Sequence, residues 1–207
     1  MAEIDNRLPI EAVYGTLPDW AIRDYIQKRK IIISPLLIDW EKKVDPVSID
    51  LRLGIKIKIL RQSEIPIDPR VGVTEEDYEE IDLLDKGSYV FNPGQFVIAE
   101  TLERVTLPSD VKGVMEGKSS LARVGVGVFV TSARFDPGWD GNPVLELTNS
   151  GNRPFILLPE MKICAFSFER LMASAEEPYH GRYTRGDVHS LIHVDNGTDE
   201  PLSGLRN

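Results

Sequence analysis

Cysteine is nearly missing: Cys164 is the single one in 207 residues. An internal disulfide is excluded, and the composition fits a reducing compartment. Histidine is almost as scarce, with only His180, His189 and His193, all toward the C-terminus. No H-x-E and no P-C-x-x-C motif occurs, which closes the zinc-hydroxide route to nucleobase hydrolysis. Any hydrolytic chemistry would have to activate water with carboxylates. Long apolar runs are also missing. None approaches the ~18–20 residues needed to cross a bilayer, and the N-terminal MAEIDNRLPIEAVYG has no signal-peptide core. Cationic residues are in deficit, 24 Lys and Arg against 33 Asp and Glu, for a formal net charge of −9. A broad nucleic-acid or anionic-membrane surface is disfavoured. A small anionic ligand in a locally basic pocket stays compatible. The expected setting is the cytoplasm.

What is present is enough for one domain with appendages: 42% hydrophobic and 28% charged residues. Residues 1–17 show no period and read as an N-terminal extension. Ile22, Tyr25 and Ile26 recur at helical spacing between Asp19 and about Arg29, and Lys28, Arg29 and Lys30 suit the last turn. Short strands follow, punctuated by turns. They cover Ile31–Ile33, Ser48–Leu53, Ile55–Ile59, Tyr89–Phe91, Phe96–Glu100, Arg104–Leu107, Pro143–Asn149, Pro154–Leu157 and Lys162–Arg170. The acidic segment from Thr74 to Asp85 reads as a solvated loop or edge. This pattern predicts a mainly β fold, an antiparallel barrel or jelly roll. A domain spanning 18–171 is expected, with a polar tail or lid over 172–207.

The stretch from Gly117 to Glu146 crowds glycines, serines and charges of both signs between valines. Gly117-Lys118-Ser119 is not a Walker loop, since the required upstream glycine is Lys112. Lys118, Ser119 and Ser120 open a short helical pattern whose hydroxyls, ammonium and free N–H groups suit a phosphate chain. Ser119 acting simply as a helix cap is the alternative. Arg123, four residues on, shares its helical face. Glu146 alternates with Leu145 and Leu147, as an ordinary exposed strand residue would. Asp136-Pro137-Gly138 and Asp140-Gly141 are turn signals, with structural duty the default for Asp140. Trp139 suits either a core or an aromatic plate against a sugar.

Together, Gly117–Arg123, Asp136–Gly141 and Val144–Glu146 resemble the dCTP deaminase family of the dUTPase-like superfamily. So do Ser48–Gly54, Asn92-Pro93-Gly94, Leu107-Pro108 and Asn149-Ser150-Gly151. The resemblance covers roughly 18–171. It implies a distorted jelly roll assembled as a homotrimer, with nucleotide sites between subunits. It implies zinc-independent hydrolysis of dCTP to dUTP and ammonia, with magnesium brought by the triphosphate. Glu146 matches the general base, and Arg123 and Ser119 the residues that orient it. Lys118, Ser119 and Ser120 match triphosphate-binding positions. The backbone of Val130, Thr131 and Ser132 matches the base-reading segment, Asp136 the ribose 3′-hydroxyl partner, and Trp139 the aromatic beside deoxyribose. Tyr179, with Arg182 in the same tail, matches the closing lid.

Several positions depart from the family pattern. Lys118 replaces an arginine, Phe129 a histidine, and Glu160 and Cys164 replace glycines. Ser132 and Ala133 replace the frequent Ala-His or Ala-Gly pair, and the tail Arg182-Tyr183-Thr184-Arg185-Gly186 only loosely matches the Lys-Tyr-x-x-Gln lid. Ala165 stands where dUTPases and bifunctional members carry glutamine. Two alternatives accompany the deaminase: a bifunctional enzyme that also splits dUTP to dUMP and pyrophosphate, and a member that binds nucleotide without turnover.

Overall fold

The computed structural model describes residues 9–68, 72–130 and 133–180. In chain order come β1 (Gly15–Thr16), α1 (Asp19–Gln27), β2 (Ile32–Ser34), β3 (Ser48–Leu60), β4 (Tyr78–Asp82), α2 (Leu83–Lys86) and β5 (Tyr89–Phe91). Next are β6 (Phe96–Thr101), β7 (Arg104–Thr106), β8 (Val111–Gly117), α3 (Ser119–Ala122), β9 (Val126–Gly127) and β10 (Arg134–Phe135). Last come β11 (Asp140–Gly141), β12 (Val144–Asn149), β13 (Phe155–Leu157) and β14 (Lys162–Arg170). The main sheet runs β10-β8-β14-β3-β6-β12-β9, with β1 added on β14 and β4 on β3. Two small sheets, β11-β7-β2 and β13-β5, complete the mainly β architecture. Pairings among the described strands are antiparallel. One apolar core lies within: Leu51, Leu53 and Ile57 of β3, Leu145 and Leu147 of β12, and Phe166 and Phe168 of β14 are all buried in it.

β3 is the strand shared between the two halves of that sheet. Its first residues pair with β14, Ser48 opposite Ser167 and Leu51 opposite Cys164. Its later residues pair with β4 and β6. The register to β6 shifts between Leu53 and Ile57, around Gly54, where a Cβ would lie 2.9 Å from the Glu100 carbonyl oxygen. The sequence suggests two strands here; the chain makes one. Glycine admits the close approach of β6 while the backbone stays extended, so the break in pattern is a bulge rather than a turn.

Two more expectations are corrected, and an alternative left open by the sequence is settled. Helix α1 buries Ala21, Ile22, Tyr25 and Ile26 but stops at Gln27, before the basic run. Arg29 is left-handed at φ 56°, and the N–H groups of Lys30 and Ile31 return to the Tyr25 carbonyl at 2.9 and 3.2 Å. Lys28, Arg29 and Lys30 therefore close the helix from beyond its end. The acidic segment is an edge, not a loop. A Thr74/Asp77 capping box leads into β4, and Lys56 and Lys58 of β3 pair with Glu80 of β4 and with Glu75 of the turn before it, both at 2.7 Å. Residues 9–17, aperiodic in sequence, belong to the body. Leu17 is fully buried, β1 pairs with the last residues of β14, and Arg170 donates to the carbonyls of Ile10 and Val13. A two-residue strand is too short to show a period. No helix among the described residues is long and apolar enough to cross a membrane.

Candidate active site

The carbonyl of Lys118, at the end of β8, accepts from the N–H groups of Leu121 and Ala122 at 3.0 and 2.9 Å, opening α3. Lys118 thus occupies the cap position and Ser119 the first helical one, so Ser119 is not the cap. Leu121 points into the core while Ser119, Ser120 and Arg123 are exposed. The turn after α3 is pinned to the end of β12. Gly125 has φ 89°, and a Cβ on it would lie 2.2 Å from the Gly151 nitrogen. Ser150 donates to the Gly125 carbonyl at 2.8 Å. Asn149, 1% exposed, donates to the carbonyls of Phe91 and Arg153 and accepts from Gly151 N–H. The Asn149-Ser150-Gly151 turn is therefore a fixed seat for the serine–arginine segment.

β12 carries Glu146 on its outer side, between the buried Leu145 and Leu147. Its N–H donates to the Val128 carbonyl at 3.1 Å, and its Oε2 accepts from the Val130 N–H at 2.9 Å. The other carboxylate oxygen has no hydrogen-bond partner among the described residues. This is more than an ordinary wet strand position: one oxygen is fixed by backbone and one is presented outward. Phe129 packs half-buried against the core and so holds the strip over Glu146 in place. Neither Ser119 nor Arg123 is hydrogen-bonded to Glu146 among the described residues.

A second group gathers around the Asp136–Trp139 turn. Asp136 pairs with Arg134 at 2.9 Å with both side chains largely exposed. Trp139 is 6% exposed, its ring edge-on to Phe135 at 4.7 Å between centroids. Of the two sequence alternatives for it, the ring takes the core position. Gly138, at φ 86°, lets the tail close in: a Cβ there would meet Pro178 at 2.7 Å. The Tyr179 N–H donates to the Pro137 carbonyl at 2.7 Å. Asp140 has structural duty, receiving Arg104 through Nε (3.0 Å) and Nη2 (2.6 Å) and Thr106 Oγ1 at 2.7 Å. Thr131, Ser132 and Arg182 lie outside the described residues.

Known proteins resemble this chain. The family described as dCTP deaminase-like matches residues 16–171. The chain belongs to the dCTP deaminase family. A dCTP deaminase of Alteromonas mediterranea is 43% identical over 80% of this chain and 87% of the relative. A "dCTP deaminase, dUMP-forming" of Methanothermobacter thermautotrophicus is 38% identical over 79% of this chain and 83% of the relative. Among solved structures, the 2′-deoxycytidine 5′-triphosphate deaminase of Agrobacterium tumefaciens superposes with a TM-score of 0.59 at 26% identity. That match covers 76% of this chain and 48% of that one. The mainly β fold expected from the sequence is thus shared with a solved dCTP deaminase.

Within this family member, sequence reasoning assigned no role to the groups that hold Lys118. Lys118 Nζ pairs with Asp50 Oδ1 at 2.5 Å, and Lys162 Nζ with Asp50 Oδ2 at 3.0 Å. Nearby, Glu103 is 3% exposed and accepts both the backbone N–H (2.7 Å) and Nε (2.6 Å) of Arg52. The signal was a carboxylate and a guanidinium among the apolar residues of Ser48–Gly54. Without the strand partners, that pattern does not say whom they meet.

Cys164, in this same region, is fully buried. Burial first, then the Glu103 and Asp50 carboxylates, push its thiol up. We expect Cys164 to resist maleimide in the folded enzyme and to react fully in denaturant, read by intact mass. Rapid modification of the native protein would contradict the packing described.

Proposed function

We propose that this chain hydrolyses dCTP to dUTP and ammonia, without zinc, in pyrimidine deoxynucleotide metabolism. The main support is Glu146, with one oxygen tied to Val130 N–H and the other free to meet water at the rim of a base-reading strip. Water adds across cytosine C4 and N3 as the carboxylate takes its proton and passes it to N3. The hydroxyl proton then goes through Glu146 to the amino nitrogen, the C4–N bond breaks, and ammonia leaves with C4=O formed and the carboxylate restored. A base for this work must be positioned before the substrate arrives, which the backbone contact achieves.

Lys118, Ser119 and Ser120 bind the triphosphate, Arg123 orients water and base, Asp136 takes the 3′-hydroxyl, and Tyr179 closes the site. Trp139 shapes the sugar seat from beneath. Magnesium enters as part of the substrate, held by phosphate oxygens and water. Ser119, Ser120 and Arg123 are exposed, where a neighbouring subunit of a homotrimer would complete the site. The single buried thiol suits a cytoplasmic enzyme.

A second reading, deamination coupled to dUTP hydrolysis, is favoured by the dUMP-forming relative at 38% identity. Ala165, in place of glutamine, weighs against it. Purified protein with dCTP and magnesium is expected to release ammonia and accumulate dUTP, followed by chromatography. Stoichiometric pyrophosphate and dUMP would establish the second reading instead. Tight dCTP binding with no product would leave a non-catalytic binder.

A further inference from the structure

We infer that Lys162 is a second cation of the triphosphate subsite and that Asp50 is the positioning residue that sets it beside Lys118. This rests on the reading of Lys118 as a phosphate-binding group. Three strands converge here. Gly117 of β8 lies opposite Cys164 of β14, and Cys164 lies opposite Leu51 of β3. Lys118 therefore leaves β8 and reaches across β14 to Asp50 on β3, while Lys162 meets the same carboxylate from the first residue of β14. The Asp50 side chain is 8% exposed, so water does little to satisfy it. Each of its oxygens holds a different ammonium.

Asp50, Lys118 and Lys162 sum to +1 (2 − 1), while the neighbouring Arg52 is shared between Glu103 and Glu160, so the excess of positive charge belongs to the trio and not to its wider surroundings. One lysine would compensate Asp50; the second ammonium makes the trio locally cationic. The Lys162 side chain is half exposed, so a ligand can reach it. An ammonium has three donors, and Asp50 uses one on each lysine, leaving the rest for phosphate oxygens. A lysine stem otherwise loses much rotamer freedom when it grips an anion. Anchoring both heads to one rigid strand removes that loss beforehand. Two ammoniums on opposite oxygens of one carboxylate suit a chain of phosphates, not a single phosphate.

The test is equilibrium binding by the full-length protein of inorganic tripolyphosphate, dCTP and dCMP, with KM and kcat measured for dCTP. Lys162→Ala and Asp50→Asn are each expected to weaken tripolyphosphate and dCTP about tenfold and dCMP less than about twofold. The loss on turnover should fall in KM rather than kcat. Lys162→Arg should recover most of the affinity. If Asp50→Asn melts early, Lys162→Ala carries the test alone, since its side chain reaches the surface. Should Lys118→Ala weaken tripolyphosphate while Lys162→Ala leaves it unchanged, the inference is wrong and the phosphate role of Lys118 stands. An equal loss on dCMP also overturns it, pointing to a structural effect. If Lys118→Ala changes neither polyphosphate, the phosphate reading itself fails and takes this inference with it.

Discussion

Glu146→Gln is expected to lower ammonia release about a thousandfold or more while dCTP affinity stays within about tenfold of the parent. The substitution is close to isosteric. An amide oxygen can still accept from the Val130 N–H, the contact that fixes the strip from Val128 to Val130 over β12. What disappears is the basicity. An amide cannot take a proton from water or return it to the leaving nitrogen, so the chemical step fails while the seat for the base survives. Ammonia release by a coupled assay and dCTP binding by calorimetry read the two separately. Turnover above a tenth of the parent rate would remove Glu146 from the role of general base. A collapse of affinity together with turnover would instead make it a binding residue.

Gly125→Ala should cost about 3 kcal/mol or more of stability, because two penalties add at one atom. The backbone there is left-handed at φ 89°, and the new methyl group would lie 2.2 Å from the nitrogen and 2.4 Å from the Cα of Gly151. Both obstacles are backbone, so no side chain can swing aside. Gly87→Ala is the matched control: φ is 74° but nothing lies within 4 Å of the added carbon, so only the conformational cost of about 1 kcal/mol applies. Denaturant melts should separate the variants by about 2 kcal/mol or more, the difference between these estimates. Because Gly125 joins the Ser119–Arg123 segment to the strand of Glu146, residual folded Gly125→Ala protein should also lose turnover, whereas Gly87→Ala should not. Equal melts for the two would contradict the close packing of the two turns.

The strands were legible in sequence wherever alternation ran for several residues with a turn at each end. β5 and β14 fall where Tyr89–Phe91 and Lys162–Arg170 predict them. Boundaries were lost where a residue type carries two meanings. Gly54 signals a break but makes a bulge, and Lys28–Lys30 look like a helix end but lie past it. At the candidate site, local motifs singled out the stretch from Gly117 to Glu146, since serines, glycines and carboxylates at such density are not needed for packing. Pairings across the sheet were hidden. Asp50 and Lys118 are 68 residues apart, and only the order β8-β14-β3 brings them within reach. The seat formed by Asn149 was equally hidden, because a buried asparagine reads in sequence as just another turn residue.

The buried thiol has a practical consequence. A protein whose one cysteine is sealed inside β14 offers a silent background for site-directed labelling. A cysteine introduced at Met172, 89% exposed, would be the sole attachment point for a fluorophore or spin label under native conditions. It lies a few residues before Tyr179, whose backbone is tied to Pro137. A probe there would report directly on whether that tail tightens when nucleotide arrives, with no wild-type residue to remove first.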